Sequence, residues 1–535
     1  MLFNSYIFIF VFLPVTLVGF YLIGKRGKFR VAISWLIGAS LLFYGWWNPA
    51  YVSLIIISIL FNYAVGVSII DMKKWRKATF ILGIVGNICL LGYYKYANFF
   101  VDNFNEITSN NIVLETIILP LAISFFTFQQ ITYLVDIYQG KTKEYNFLHY
   151  CLFITFFPQL IAGPIVHHRQ MLPQFSKRIT YNVNYNNIAI GLTIFIIGLF
   201  KKVVLADGVG LNATLVFSAV ESGVVLSFAE SWYAAFAYSF QLYFDFSGYS
   251  DMAIGLARMF GILLPVNFYS PYKANNIADF WRRWHITLSN IIKDYMFYPI
   301  NLIMTRIAIV RHYRYLATFL VSIVFPMISV WLIVGLWHGA GWNFVLFGLI
   351  HGVYLIVYQL WKDYRKRHGF MLKRMKVVGV VVSRIITFIA VVFSFVMFRS
   401  DSFDVAISIY QSMVGLNGIS LPIFMADKLN YITDFVGPIV VSYNGMFYNG
   451  IVPEPFYALL LLLFMLIIVW FTPNVVELFK KYNPALGIST LSKDTSSLNQ
   501  LYWKPTIYYA VISAIGLAVL ITLIQGESEF LYFQF

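Results

Sequence analysis

Apolar side chains along this chain gather into runs of about 20 residues, the length at which a helix crosses roughly 30 Å of hydrocarbon. The runs cover 5–24, 31–47, 51–70, 78–96, 117–138, 186–205, 226–246, 316–337, 342–361, 377–398, 455–472 and 506–525. The pattern predicts an all-α polytopic membrane protein with about eleven to twelve transmembrane helices. It falters in two places. Pro158, Gly163 and Pro164 interrupt 150–166, and Pro265, Pro271 and Pro299 punctuate 260–300, so both stretches read as re-entrant or interfacial helices. Irregular backbone at membrane depth must be buried in protein or line a wet cavity, so a cavity is expected in the middle third of the chain. The first run has no cation before it and no evident small-residue cleavage site, which predicts a retained helix with its N-terminus outside.

Composition narrows the class. With 60% hydrophobic and 11% charged residues in 535, the chain lacks the polar surface of a soluble fold. The formal charge of +15 comes from 38 Lys+Arg against 23 Asp+Glu, and its placement argues for the lipid bilayer as partner and against nucleic acid. Cations sit in short loops: 25–30 (Lys25, Arg26, Lys28, Arg30), 73–77 (Lys73, Lys74, Arg76, Lys77), 141–143 (Lys141, Lys143) and 362–376, the densest, with Lys362, Arg365, Lys366, Arg367, Lys373, Arg374 and Lys376. These loops are expected on the cytoplasmic side. Segment 399–454 has Arg399 and Lys428 against Asp401, Asp404, Asp427, Asp434 and Glu454, so it is expected outside, as is the tail after Ile524. Cys89 and Cys151, the only cysteines, both lie in apolar surroundings and supply neither a disulfide framework nor a cysteine-rich metal site.

Within this apolar background His338 stands out, in Trp337-His338-Gly339 with Gly335, Ala340 and Gly341 around it. An ionisable group at membrane depth is a functional candidate by default, and small neighbours let a substrate or another backbone come close. A hydrogen-bonded packing role is the competing reading. If 338–351 were one helix, His338 and His351 would stand roughly 20 Å apart and about 140° out of phase, which rules out a metal pair and suits one catalytic and one structural histidine. In 279–289, Trp281, Trp284, His285 and Leu288 would share one helical face, and Asp279 could pair with Arg283. That segment is either an amphipathic helix at headgroup level or a donor site, with His285 pointing inward and Arg282 or Arg283 on phosphates. Asp245, Ser247, Tyr249 and Asp251 with Arg258 suit structural pairing in a crevice as well as substrate contact. Gln129 and Gln130 suit cross-helix hydrogen bonds, Asn267, Tyr272 and Asn275 a loop lining, and Asp136 is ambiguous. No H-E-x-x-H, P-loop or G-x-S-x-G occurs, which leaves a histidine base acting on a bound hydroxyl as the most economical chemistry.

Taken together, DFWRRWHITLS at 279–289, GLWHGAGWN at 335–343 with His351-Gly352, FDFSGYSDMAIGLARMFG at 244–261 and Gly163-Pro164-Ile165 resemble the membrane-bound O-acyltransferases, in particular their alginate O-acetyltransferase branch. The resemblance is strongest over about 115–355. It implies a catalytic core at 111–398 around a central channel, between N-terminal transmembrane helices at 1–110 and, beyond an extracytoplasmic loop at 399–454, C-terminal transmembrane helices at 455–535. It also implies catalytic His338 and His285, donor contacts at Trp281, Arg282, Arg283 and Trp284, no metal, and acetyl-CoA as a donor substrate rather than a bound cofactor. The acetyl group would cross the cytoplasmic (inner) membrane of a bacterium to an extracytoplasmic acetyltransferase partner and a polysaccharide such as alginate, cellulose or peptidoglycan. General base and transient acyl carrier are both open roles for His338. The rival classes are a transporter or flippase for a polysaccharide precursor, which should show symmetry between halves, and a membrane scaffold, which would tolerate His338→Ala.

Overall fold

A computed structural model describes residues 1–142, 146–369, 377–425, 441–491, 502–524 and 530–531, and these are mostly helical. Among them seven helices are long and apolar enough to cross a membrane: Phe8–Lys25, Ala50–Asp71, Arg76–Thr108, Tyr185–Glu221, Tyr315–His338, Trp342–Arg367 and Val377–Arg399. Phe29–Gly45, Pro455–Phe471 and Ile507–Leu523 are apolar but shorter. Helices suit this setting because each satisfies its backbone N–H and C=O groups within its own segment. Two apolar runs depart from the simple pattern. The run at 117–138 is helical only over Ile123–Tyr138, since Pro120 lacks the N–H that a helix interior needs. The run at 226–246 continues to Met259 as one 32-residue helix.

That helix, Phe228–Met259, is the axis of the molecule. It opens with a capping box, in which the Glu230 N–H donates to Ser227 Oγ at 3.1 Å and the Ser227 N–H to Glu230 Oε2 at 2.9 Å. Nearly all of its side chains are buried, as expected of a helix with neighbours on every side. It lies antiparallel to Tyr185–Glu221 at backbone contact: a Cβ on Gly191 would meet the Gly255 carbonyl oxygen at 2.5 Å, and one on Gly198 the Gly248 oxygen at 2.6 Å. Asp245 and Asp251 are paired inside this junction, with Lys202 at 2.7 Å and Lys201 at 2.6 Å. Arg258 is not their partner; it donates to the carbonyls of Tyr482 and Asn483. Gln130 accepts from Ser58 and Asn62 across helices.

The outermost helices turn apolar side chains outward. Phe456, Leu459, Leu460, Leu463, Phe464 and Ile467 all lie on the surface of Pro455–Phe471. Such a face belongs against lipid in a multi-pass membrane protein. Helix connectivity puts the basic loops at one end. Phe29–Gly45 and Ala50–Asp71 form an up-and-down pair, so 25–30 and 73–77 lie together and Trp46–Pro49 lies opposite. Arg76 bonds the Tyr138 carbonyl, bringing Lys141 to the basic end. Trp342 Nε1 donates to Asn103 Oδ1 at the far end, so the 362–369 cations at the other terminus of Trp342–Arg367 also fall at the basic end. Lys143, Lys373, Arg374 and Lys376 lie outside the described residues.

The 441–454 part of segment 399–454 packs at the far end, where Ser227 Oγ donates to the Met446 carbonyl and Asn449 Nδ2 to Glu230. Asp427, Lys428 and Asp434 lie outside the described residues. The tail departs from expectation. Its described residues, Phe530 and Leu531, turn back into the core, with the Phe530 ring 4.3 Å from that of Tyr249 and the Leu531 N–H on Asp245 Oδ2 at 3.0 Å. An aromatic ring gains more from burial than from an aqueous face.

Candidate active site

The helix Tyr315–His338 stops at His338 because Gly339 takes extended backbone, and Trp342–Arg367 begins after Gly341. His338 and His351 therefore sit on two helices, not one. The helices meet at backbone contact: a Cβ on Gly335 would lie 2.3 Å from the Phe344 carbonyl oxygen, and one on Gly348 2.1 Å from that of Trp331. Backbone oxygens cannot move aside as a flexible side chain can. Gly348→Ala is expected to destabilise the protein by about 1–3 kcal/mol, the range for overpacking, and to displace His338. Thermal unfolding in detergent checks this, and an unchanged midpoint would show that the pair can separate freely.

The His338 imidazole is framed by the rings of Trp337 at 5.0 Å, Phe398 at 5.3 Å and Phe347 at 5.9 Å. It lines a cavity of about 240 Å³. Trp47, residues 118–125, Lys95, Ile161 and Trp337 complete the lining. Tyr44 and Tyr51 fix the wall at 118–121 by donating to the carbonyls of Leu121 and Ile118. Because Trp47 lies in the turn opposite the basic loops, the cavity runs to His338 from the far end of the molecule. It is walled mainly by residues outside the proline-broken stretches, of which Ile161 is the one contributor. Those stretches instead take the other course open to irregular backbone: 156–166 is buried in protein.

Residues 279–289 do not form one helix. Ile277–Trp281 and Ile286–Ile292 are separated by a break in which His285 adopts φ 42°, a left-handed conformation uncommon for a residue with a Cβ. Tertiary bonds hold the break: the Ile286 N–H donates to the Asn267 carbonyl and the Tyr269 N–H to that of Arg283, both at 2.9 Å. His285 is buried, with Nδ1 3.0 Å from Asn267 Oδ1, so Nδ1 carries the proton. The same oxygen accepts from Thr287 Oγ1 at 2.8 Å, and Thr287 Oγ1 accepts the Ile165 N–H at 3.1 Å. Asn267 thus ties the two proline-broken segments together around His285. The His285 ring lies 6.4 Å from that of Trp337, which in turn lies 5.0 Å from that of His338.

The other residues of this segment divide. Trp281 Nε1 donates to His351 Nδ1 at 3.2 Å, and His351 Nε2 meets Ser394 Oγ at 3.0 Å. Both ring nitrogens of His351 are engaged in hydrogen bonds within the protein, as a structural histidine requires. Trp284 stacks on Phe280 at 5.5 Å and is buried. Arg283 pairs with Asp279 at 3.0 Å at the expected spacing, whereas the Arg282 side chain is 70% exposed. Asp136 is buried at the basic end and meets Tyr295 Oη at 2.8 Å and Arg169 at 3.3 Å. Burial holds His168 beside it down to about 4, against the pull of Asp136, so this imidazole is neutral and the charged partners are Arg169 and, at 3.8 Å, Lys141.

The site residue missing from the sequence reading is Lys95, whose ammonium reaches the carbonyls of Trp337 and His338. A lone cation in an apolar stretch was the available signal.

A model of the membrane-bound O-acyltransferase family matches residues 138–399. The chain is 39% identical to the peptidoglycan O-acetyltransferase of Helicobacter pylori, with 100% of this chain and 98% of that protein aligned. It is 37% identical to the probable alginate O-acetylase AlgI of Pseudomonas aeruginosa over 84% of this chain and 82% of that one. The teichoic acid D-alanyltransferase of Bacillus subtilis is 28% identical, covering 53% of this chain and 69% of its own length.

Proposed function

Because this chain belongs to the membrane-bound O-acyltransferase family, we propose that it takes acetyl groups from acetyl-CoA at the face carrying the basic loops and passes them across the membrane for O-acetylation of an extracytoplasmic polysaccharide. Its acyltransferase character and multi-pass membrane placement come with the family; the donor, the direction, the acceptor and the bacterial cytoplasmic membrane as its location are our reading. The observation that carries this reading is the cavity that descends from the far end onto His338. A group that lines it can serve an acceptor from one side while the donor arrives from the other.

The chemistry asks little more of the protein. An acceptor hydroxyl attacks the thioester carbonyl carbon, the C–S bond breaks as the C–O ester bond forms, and the hydroxyl proton passes through His338 to the departing thiolate. His285, held by Asn267 and near Trp337, positions this centre. Arg282 is exposed; its partner Asp279 accepts the Asn275 N–H, and Asn275 Oδ1 accepts from Arg384 at 3.0 Å, toward the basic-end terminus of Val377–Arg399. Guanidinium groups there suit the phosphates of coenzyme A, with Arg283, Trp281 and Trp284 shaping the segment. The relatives are named for peptidoglycan and alginate, both polysaccharides, so a glycan hydroxyl is the acceptor class, reached through an extracytoplasmic acetyltransferase partner.

Sidedness tests the reading. With the protein reconstituted in vesicles and membrane-impermeant labelled acetyl-CoA outside, label should reach a polysaccharide acceptor and its partner transferase inside only for molecules whose basic loops face outward. Transfer indifferent to orientation would overturn the direction. Intact glycan precursor crossing without ester formation would make the chain a transporter.

A further inference from the structure

We infer that Lys95 and Tyr96 form a clamp on the carbonyl end of the helix that carries His338, and that Lys95 is a positioning residue for acyl transfer; this rests on the reading of His338 as the transfer residue. The last four carbonyls of a helix have no intrahelical partner. In Tyr315–His338 these belong to Gly335, Leu336, Trp337 and His338. Gly335 accepts the Gly339 N–H at 3.4 Å. The other three are met from a different span: Leu336 by Tyr96 Oη at 2.6 Å, Trp337 by Lys95 Nζ at 2.5 Å and His338 by the same Nζ at 3.2 Å. Two consecutive side chains therefore hold three consecutive carbonyls.

The local backbone suits this task. Within the helix Arg76–Thr108, residues Gly92–Tyr96 form a π-helical turn, an irregularity concentrated at functional places in helices. The Lys95 ammonium has three donors, and the third points to Ser124 Oγ at 3.4 Å, so the cation is satisfied inside the membrane. Among the described residues it forms no ion pair with a carboxylate. Its N–H donors face the carbonyl end of the His338 helix instead. Lys95 also lines the same cavity as His338, so the clamp fixes the imidazole at the place where an acceptor would arrive.

The test uses the full-length protein in lipid, with acetyl-CoA turnover measured for Lys95→Met, Lys95→Arg, Tyr96→Phe and His338→Ala. For Lys95→Met, kcat should fall about 10- to 100-fold, the range for a misplaced reacting group, with KM for acetyl-CoA unchanged. Lys95→Arg, which keeps the charge and donors, should recover most of that loss, and Tyr96→Phe should lose less than Lys95→Met. Diethyl pyrocarbonate modification of His338, followed by peptide mass spectrometry, should speed up in Lys95→Met because the helix end is released. An unchanged kcat, a rise in KM alone, or a loss of kcat matched by loss of folded protein with unchanged His338 labelling would each overturn the clamp. Full turnover in His338→Ala would instead remove the reading on which it rests.

Discussion

Replacing His338 by alanine should lower acetyl-CoA-dependent transfer by about 10²- to 10⁴-fold, the contribution of a positioned acid–base group, while the protein still inserts and unfolds near the wild-type temperature. Stability should survive because the imidazole borders a cavity, and the aromatic frame of Trp337, Phe347 and Phe398 remains in place. The companion change, His285→Ala, should cost less activity, about 10- to 100-fold, because His285 is tied to Asn267 and acts by holding geometry. It should also relax the left-handed break at 285, whose Nδ1 bond to Asn267 is lost. Rapid quenching with labelled acetyl-CoA separates the two roles open to His338: an acyl-imidazole on its peptide marks a carrier, and turnover without one marks a base. Wild-type turnover in His338→Ala would dismiss the residue from the chemistry.

Hydropathy made the long helices and the basic end legible because both follow from one requirement, the exclusion of unpaired polar groups from lipid. His338 was legible for the same reason. Lys95 was hidden because the apolar run ends at 96, which placed the lysine at an apparent boundary. The helix in fact continues through Asn98, Asp102, Asn103 and Asn105 to Thr108, so Lys95 lies well inside it. The break at His285 was hidden for another reason. Neither glycine nor proline occurs at 282–285, and the break is set by backbone bonds to Asn267 and Tyr269, partners more than a dozen residues away. Helical spacing put Trp281, Trp284 and His285 on one face, and long-range bonding overrode it. The cavity was sought among the prolines of the middle third. It is walled instead by 118–125, where Pro120 holds an apolar run out of helix.

The largest loss of stability should follow Lys202→Met. Lys202 is almost fully buried in the π-helical turn Lys201–Ala206, with Nζ 2.7 Å from Asp245 Oδ1, 2.9 Å from Asp207 Oδ1 and 4.9 Å from the centre of the Phe530 ring. Methionine matches its length and strands Asp245 inside the protein, where among the described residues the Leu531 N–H is left to it. Breaking a buried pair from one side costs about 3–5 kcal/mol, because the remaining charge can neither reach water nor find a partner. The exposed Arg282–Asp279 contact at 3.7 Å, by comparison, should be worth little. The double change Lys202→Met with Asp245→Asn should recover most of the loss, since it removes the stranded charge along with its partner. Thermal unfolding of the two single variants and the double variant in one lipid or detergent closes the cycle. A wild-type midpoint for Lys202→Met, or a double variant as weak as the sum of the singles, would show that the pair does not hold the axis. Activity should follow stability here, because the same helix places the Phe246 ring 4.8 Å from that of His285 and Ser250 Oγ against Asn267 Nδ2 at 3.1 Å. Slack in the Lys202 junction therefore reaches the histidine pair through Phe228–Met259, even though neither lysine nor aspartate touches the reacting groups.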